Sequence, residues 1–198
     1  MIDSRHRKNG RVGNAHRLKR IAVRHWSRLL FLCMVFTACR GPESLTLNDF
    51  ETEADLDRLT WRCPYWLERS AEFKPSGSYG LLVEFPSGEY PTLELREIPK
   101  DWRSYRWFEA QIWAPDLAGQ KMSIRMDDAG NCDAYADRFD TVIELTGRPQ
   151  MVRLPLEQVM HGNGGRRLEL GRMYRILFFL QQSEVRHRWY LDGVRLVR

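Results

Sequence analysis

The sequence has few of the residue types on which most catalytic and metal centres depend. Its 198 residues include four cysteines and five histidines, and only His161 and His187 lie beyond residue 38. Those two histidines have no zinc-ligand spacing around them, and no serine lies in a G-x-S-x-G turn. GNGG at 162–165 lacks the third glycine of a dinucleotide-binding loop. These absences disfavour a zinc enzyme, a serine hydrolase of that type and a nucleotide-binding oxidoreductase.

The sequence also lacks a hydrophobic run long enough to span a bilayer comfortably. The apolar segment LLFLCMVFTA at 29–38 has ten residues, whereas a transmembrane helix needs about 20. It follows the basic RHWSR at 24–28 and stops at Cys39, which is the plan of a secretory signal peptide. FTAC at 36–39 resembles a bacterial lipobox, which implies that Cys39 becomes the lipid-acylated N-terminus. A plain cleaved signal and an uncleaved anchor are the alternatives.

Positive charge is concentrated ahead of this run. Residues 1–38 hold nine Lys and Arg against one acid, whereas residues 39–198 hold 22 basic and 25 acidic residues. The exported portion is therefore mildly acidic, which argues against a nucleic-acid partner. We divide the chain into a basic leader with a signal peptide (1–38), a lipid-anchored tether (39–44) and one folded domain (45–198). A translation start at Val23, which would leave residues 1–22 untranslated, is a further hypothesis.

Two cysteines, Cys63 and Cys132, remain in the predicted domain. Export permits them to form a disulfide. Two free thiols fit the sequence equally well, because spacing alone does not show that the residues meet.

Beyond the tether, short apolar segments are separated by turn residues. Alternation with a period of two is clear in 107–113, 121–126 and 139–145, as in strands with one inward face. ILFFL at 176–180 is apolar at every position, which predicts a central strand covered on both sides. Short helices fit 156–161 and 168–174, and the pattern as a whole predicts an antiparallel β-sandwich or jelly roll. The predicted strands are 45–50, 79–85, 91–98, 107–113, 121–126, 139–145, 150–156, 175–182 and 189–197.

Several motifs in this order resemble the galactose-binding-like jelly rolls, among which non-catalytic bacterial carbohydrate-binding modules are prominent. The resemblance covers residues 45–198 and implies a β-sandwich that binds glycan without altering it. The motifs are NDFE (48–51), Trp61, SGSYGLLVEF (76–85), DWRSYRWFEAQIWAP (101–115), DRFDTVIEL (137–145) and the terminal YLDGVRLV.

The resemblance further implies a structural calcium ion where the first and last strands run side by side. By position, Glu51 and Asp192 become its ligands, with Asp49 as a third candidate and backbone carbonyls completing the shell. Calcium takes six to eight oxygens, and its charge would explain a carboxylate within an otherwise apolar strand. Gly193 could seat a β-bulge beside it. The alternative is that Asp192 faces solvent on an edge strand while Glu51 lies near an arginine.

Two segments hold the candidate glycan-binding residues. Sugars stack their apolar faces on aromatic rings and bind polar groups at their rims. WRCPYW at 61–66 is loop-like, because Pro64 disfavours strand pairing, and it supplies three aromatic candidates. The segment 127–140, which the resemblance places beside a concave face, supplies the polar ones. The candidates are Trp61, Tyr65, Trp66, Asp127, Asp128, Tyr135, Asp137 and Arg138.

Plainer interpretations of the second segment stay open. Asp137 and Arg138 could form a structural ion pair. Asp127 and Asp128 would point to opposite faces of a strand, which is poor geometry for a pair of glycosidase acids. We therefore assign no catalytic residue.

The expected function is that of an exported, glycan-binding domain, anchored by lipid at Cys39 in the bacterial envelope. An envelope protein-protein interaction or assembly domain is the alternative. A polysaccharide hydrolase or lyase is a third hypothesis.

Overall fold

A computed structural model describes residues 43–60, 66–130, 134–181 and 183–198 of the chain. These residues lie in one compact unit, Glu43–Arg198. None of the helices in these ranges is long and apolar enough to cross a membrane. The strands are β1 (Ser44–Asn48), β2 (Leu59–Thr60), β3 (Leu67–Ser70), β4 (Gly80–Phe85), β5 (Thr92–Leu95), β6 (Trp107–Trp113), β7 (Lys121–Asp128), β8 (Phe139–Glu144), β9 (Gln150–Pro155), β10 (Met173–Leu180) and β11 (His187–Val197). The α-helices are α1 (Glu53–Leu56) and α2 (Leu156–His161).

The strands form two antiparallel sheets. The first has the order β3-β4-β11-β6-β9, with β1 also paired to β11, and the second has the order β2-β5-β10-β7-β8. Inward side chains of both sheets form one hydrophobic core, as their period-two patterns require. The predicted antiparallel β-sandwich is confirmed.

Alternation determines which residues enter this core. On β6, Phe108, Ala110 and Ile112 are fully buried, whereas Trp107 and Trp113, at the two ends of the strand, are partly exposed on the opposite face. Burial of apolar surface is the main stabilising term, at about 25 cal/mol per Å² removed from water. The phase of each strand therefore also determines which residues remain outside for binding.

The first and last strands lie side by side, as the resemblance implied. β1 pairs with the second half of β11, where Ser44 lies opposite Val197, and β4 pairs with the first half, where Leu81 lies opposite Leu191. The ends of β1 and β4 therefore meet beside Asp192. Next to it Gly193 has φ of 57°, and the pairing of β11 with β6 shifts register there. This irregularity is the predicted bulge.

The helix predicted at 156–161 is α2, but the helix predicted at 168–174 does not form. The amide of Glu169 donates to the Asp128 carboxylate at 2.7 Å instead of to a helical carbonyl. From Met173 onward the segment belongs to β10. A tertiary hydrogen bond and sheet pairing therefore override the local preference.

Candidate functional site

The outward face of the second sheet carries a cleft. It consists of a larger cavity of about 770 Å³ and a smaller one of about 450 Å³. The two cavities adjoin, because four residues line both: Tyr90, Thr92, Arg125 and Leu177. Cavities of this size are typical of binding sites for small-molecule ligands.

The strand register builds this face in rows. One row consists of Thr92, Phe179, Ser123 and Val142, on β5, β10, β7 and β8 in that order. The next row consists of Glu94, Leu177, Arg125 and Asp140 on the same strands. The first row is uncharged, with two apolar side chains (Phe179 and Val142) and two hydroxyl-bearing ones, whereas three of the four residues in the second row are charged. A ligand in the cleft therefore meets an uncharged, partly apolar strip beside a charged one.

Leu177 and Phe179 form part of the cleft floor. Ile176 and Phe178, in the opposite phase of β10, are fully buried in the core. The prediction that both faces of ILFFL are covered is therefore correct for the inward face and wrong for the outward one. The outward apolar residues lie under a cavity because no element among the described residues covers this part of the second sheet.

Two exposed tyrosines flank the cleft. Tyr90, just before β5, is 59% exposed, and Tyr135, just before β8, is 64% exposed. The Tyr90 ring lies 6.4 Å from that of Phe179, and the Arg138 guanidinium lies 5.1 Å from the Tyr135 ring. Both phenol rings offer a flat apolar face and a polar tip to a ligand.

Asp127 lies beneath the charged part of this face. Its carboxylate is fully buried and accepts from Arg125 Nε at 2.9 Å and from Arg175 Nε at 2.6 Å. Arg175 also lies 3.5 Å from Glu94. Asp127 therefore holds two guanidinium groups on the cleft face, and its own oxygens are covered by them.

Asp128 points away from the cleft, as alternation along β7 requires. It accepts from Arg166 Nη1 at 2.8 Å and from the amides of Glu169 at 2.7 Å and Gly130 at 3.1 Å. Burial alone would raise the pKa of Asp128, but these donors lower it below the usual range of an aspartate. The carboxylate thus organises the loop around Arg166.

Asp137 and Arg138, which could have paired with each other, each lie against a different residue. Asp137 lies 3.8 Å from Arg166 Nε, and Arg138 Nε donates to Asp140 at 2.5 Å. Of these residues, Arg138 and Asp140 line the smaller cavity. The residues predicted from 127–140 are therefore divided between the cleft (Tyr135 and Arg138), the layer below it (Asp127) and the Arg166 loop (Asp128 and Asp137).

Of the three aromatic candidates in 61–66, Trp66 is the one among the described residues. Trp61 and Tyr65 lie outside the described residues, as do Cys39, Cys63 and Cys132. Trp66 precedes β3 at the edge of the first sheet, where the Arg186 guanidinium lies 4.2 Å from its ring. Trp66 does not line the cleft, whereas Thr60 does.

Glu51 and Asp192 converge on one turn, residues 76–79. Glu51 Oε1 accepts from the amides of Ser78 at 2.8 Å and Tyr79 at 3.0 Å. Asp192 Oδ2 accepts from Ser76 N at 2.9 Å and Ser76 Oγ at 3.0 Å. The two acids therefore bind the same turn, Glu51 from the segment after β1 and Asp192 from the middle of β11.

The backbone conformation just after β1 places the Glu51 side chain against this turn. Phe50 is fully buried with φ of 57°, a left-handed conformation that is uncommon outside glycine. Arg69 Nε donates to the Phe50 carbonyl at 3.0 Å, and Nη2 donates to the Glu51 carbonyl. The arginine expected near Glu51 is thus present, but it binds backbone and not the carboxylate.

The charge of this pair suits a cation. Asp192 is fully buried on a strand paired at both edges, so the alternative that it faces solvent on an edge strand is wrong. Burial, together with the charge of Glu51, raises the pKa of Asp192, although hydrogen bonds from Ser76 and Gly193 oppose the shift. Within the described ranges neither carboxylate forms an ion pair. A divalent cation would offset two such charges.

Asp49, the third predicted metal ligand, does not form a cluster with Glu51 and Asp192. Asp49 is partly exposed, and the described residues contain no group of three or more His, Cys, Asp and Glu side chains placed to hold a metal. Glu51 and Asp192 alone would supply the carboxylate ligands. Backbone carbonyls or water would complete a calcium shell of six to eight oxygens.

Comparison with known proteins identifies the architecture. The sequence matches no known family profile and no curated protein. A family 11 carbohydrate-binding module from Clostridium thermocellum, solved with a β-1,3-1,4-mixed-linked tetrasaccharide, is similar in structure, with a TM-score of 0.58 and 12% identity. The match covers 80% of this chain and 97% of that one.

Two further solved structures are similar. A family 30 carbohydrate-binding module of a Clostridium thermocellum cellulosomal cellulase has a TM-score of 0.51 and 15% identity, over 71% of this chain and 86% of that one. An agarase has a TM-score of 0.57 and 16% identity, over 79% of this chain but only 24% of its own. At these identities the likeness shows a shared fold.

Proposed function

We propose that residues 45–198 form a non-catalytic domain that binds a glycan in the cleft. The observation that carries this proposal is the cleft itself, with an apolar floor, two flanking exposed tyrosines and a row of charged groups. The apolar faces of sugar rings suit Tyr90 and Tyr135, and their hydroxyls suit the polar row. The similarity in fold to two carbohydrate-binding modules adds support.

The positions of Asp127 and Asp128, the two acids weighed as a glycosidase pair, support binding without catalysis. A general acid or base must reach the proton that it transfers, and the Asp127 oxygens are already held by Arg125 and Arg175. Asp128 lies on the opposite side of β7. The two are therefore poorly placed as a glycosidase pair.

Export and lipid anchoring at Cys39 complete the proposal. They are supported by the charged segment, the short apolar run and the FTAC motif. Such a protein would hold envelope or extracellular glycan near the membrane surface. Mass spectrometry of the mature N-terminal peptide tests this, since an unmodified N-terminus or an uncleaved leader would contradict it.

Calcium is the proposed structural ion. Glu51 and Asp192 would hold it, and it would tie the turn at 76–79 to the end of β1 and the middle of β11. Asp49 would take part only through a rearrangement or a bridging water.

Substitution of the flanking tyrosines tests the glycan site. We expect Tyr90→Ala and Tyr135→Ala each to weaken binding to glycans recognised on an array at least tenfold, because each removes a stacking surface worth about 1.4 kcal/mol or more. Tyr79→Ala is the matched control, since Tyr79 is also exposed but lies on Arg69 at the first sheet. Failure of the unmodified protein to bind any glycan, or unchanged binding by both cleft variants, would overturn the proposal.

A further inference from the structure

We infer that the cleft selects an uncharged glycan and rejects acidic ones, because carboxylates on its face cancel its arginines. This inference rests on the proposed glycan-binding function and specifies the class of its ligand. Glu94 and Asp140 become specificity-determining residues by this argument.

Four arginines approach the cleft, and each lies against a carboxylate. Arg96 Nε donates to Glu94 at 2.7 Å, and Arg138 Nε donates to Asp140 at 2.5 Å. Arg125 and Arg175 share Asp127 beneath them. A carboxylate or sulfate on a ligand would therefore have to compete with a bound side chain for every guanidinium.

The charges that line the cleft also balance. The residues around the two cavities include the four arginines and three acids, Glu89, Glu94 and Asp140. Asp127, covered by Arg125 and Arg175, adds a fourth acid. The charges of these described residues sum to zero, so together they create no single-sign field of the kind that concentrates charged ligands at a site.

Asp140 also has a carboxylate oxygen, Oδ1, that can accept a hydrogen bond from a hydroxyl group but not from an anionic group. Its side chain is 12% exposed and lies opposite Arg125 across the β7–β8 pair. Oδ2 accepts from Arg138, whereas Oδ1 is buried without a hydrogen-bond partner in the described part of the chain. An unpaired buried acceptor costs about 1–3 kcal/mol.

A hydroxyl group would remove this cost. The outer torsion of aspartate is soft, so a small rotation can turn Oδ1 toward a donor in the smaller cavity while Arg138 holds Oδ2. A carboxylate at the same place would meet like charge. The local chemistry thus favours a neutral hydroxyl donor.

The test compares neutral with acidic oligosaccharides on an array and then by titration. We expect the unmodified protein to bind neutral oligosaccharides at least tenfold more tightly than oligogalacturonates of equal length, with little dependence on salt. The double variant Glu94→Gln, Asp140→Asn frees Arg96 and Arg138. Its affinity for oligogalacturonate should rise at least tenfold at low salt and fall again as salt screens the charges.

Glu144→Gln, an exposed change at the end of β8 outside the cleft lining, is the matched control and should leave both affinities unchanged. Melting temperatures measured for each variant show whether it is folded. Oligogalacturonate bound by the unmodified protein as tightly as neutral chains, or no gain of acidic binding by a folded double variant, would overturn the inference. Either result leaves the glycan site standing if Tyr90→Ala and Tyr135→Ala still weaken glycan binding at least tenfold, whereas no binding to any glycan removes the proposed function itself.

Discussion

Asp128 shows how much the role of one residue depends on its phase along a strand. Its type and its place in an acidic segment made it a candidate for glycan contact, equal to Asp127. The structure separates the two, because neighbouring residues of β7 face opposite sides. Asp128 therefore binds Arg166 and the amides of the loop that follows.

We expect Asp128→Ala to lower the free energy of unfolding by roughly 3 kcal/mol. The change removes the acceptor of one guanidinium and of two backbone N–H groups in a buried site. Urea denaturation of the variant and the unmodified protein measures the difference.

Asp101→Asn provides the comparison, because Asp101 also pairs with an arginine but in an exposed position. We expect no measurable change there, since exposed ion pairs contribute little. Equal effects of the two substitutions would contradict the structural role given to Asp128.

At the scale of the strands, the start of β4 lies in close contact with another part of the backbone. A Cβ atom on Gly80 would lie 2.3 Å from the carbonyl oxygen of Phe73. No change of rotamer relieves a clash with backbone. Gly80 is thus required for the segment around Phe73 to cover the first sheet.

We expect Gly80→Ala to lower the free energy of unfolding by at least about 2 kcal/mol, measured by thermal or urea denaturation. Gly171→Ala is the matched control, because a Cβ there would meet only the end of the exposed Arg103 side chain, at 3.2 Å. That side chain can move aside. A Gly80→Ala protein as stable as the control would show that the close approach is not maintained in solution.

The strands themselves were largely predictable, and the cleft was not. The nine predicted strands are present with ends shifted by a few residues, whereas β2 and β3 were missed because two and four residues hold no clear alternation. Period-two patterns show which residues share a face of one strand but not which strands are neighbours. Arg125 and Asp140 adjoin only through the pairing of β7 with β8, so no local pattern could bring them together. The outward phase of ILFFL was the one signal that pointed to the cleft floor.

At the scale of the whole molecule, the resemblance to known jelly rolls supplied what local patterns could not. It placed Glu51 and Asp192 together although 140 residues separate them in the sequence, and both acids do bind the turn at 76–79. Calcium at this place remains a prediction.

We expect calcium to raise the melting temperature and a chelator to lower it. A metal bound only by the folded state stabilises it by about 2.7 kcal/mol at a hundredfold excess over its dissociation constant, a shift of several degrees for a domain of this size. Differential scanning calorimetry with and without calcium measures the shift.

Glu51→Gln supplies the control, because the amide keeps the oxygen that accepts from Ser78 and Tyr79 while removing the charge. The calcium-dependent part of the shift should disappear in this variant. Persistence of the shift in Glu51→Gln, or no shift and no metal by elemental analysis of the unmodified protein, would contradict the site.

The position of β11 at the centre of the first sheet has a consequence for how the domain acquires its structure during synthesis. β1, β4 and β6 all pair with this strand, yet the ribosome makes it after every other strand of the domain. Until residues 187–197 emerge, those three strands have no common partner. The interval between synthesis of a strand and synthesis of β11 is longest for β1. Contacts so distant along the chain slow folding. The first sheet therefore cannot be completed by adding one strand at a time during synthesis. Its central pairings form only after β11 has been translated.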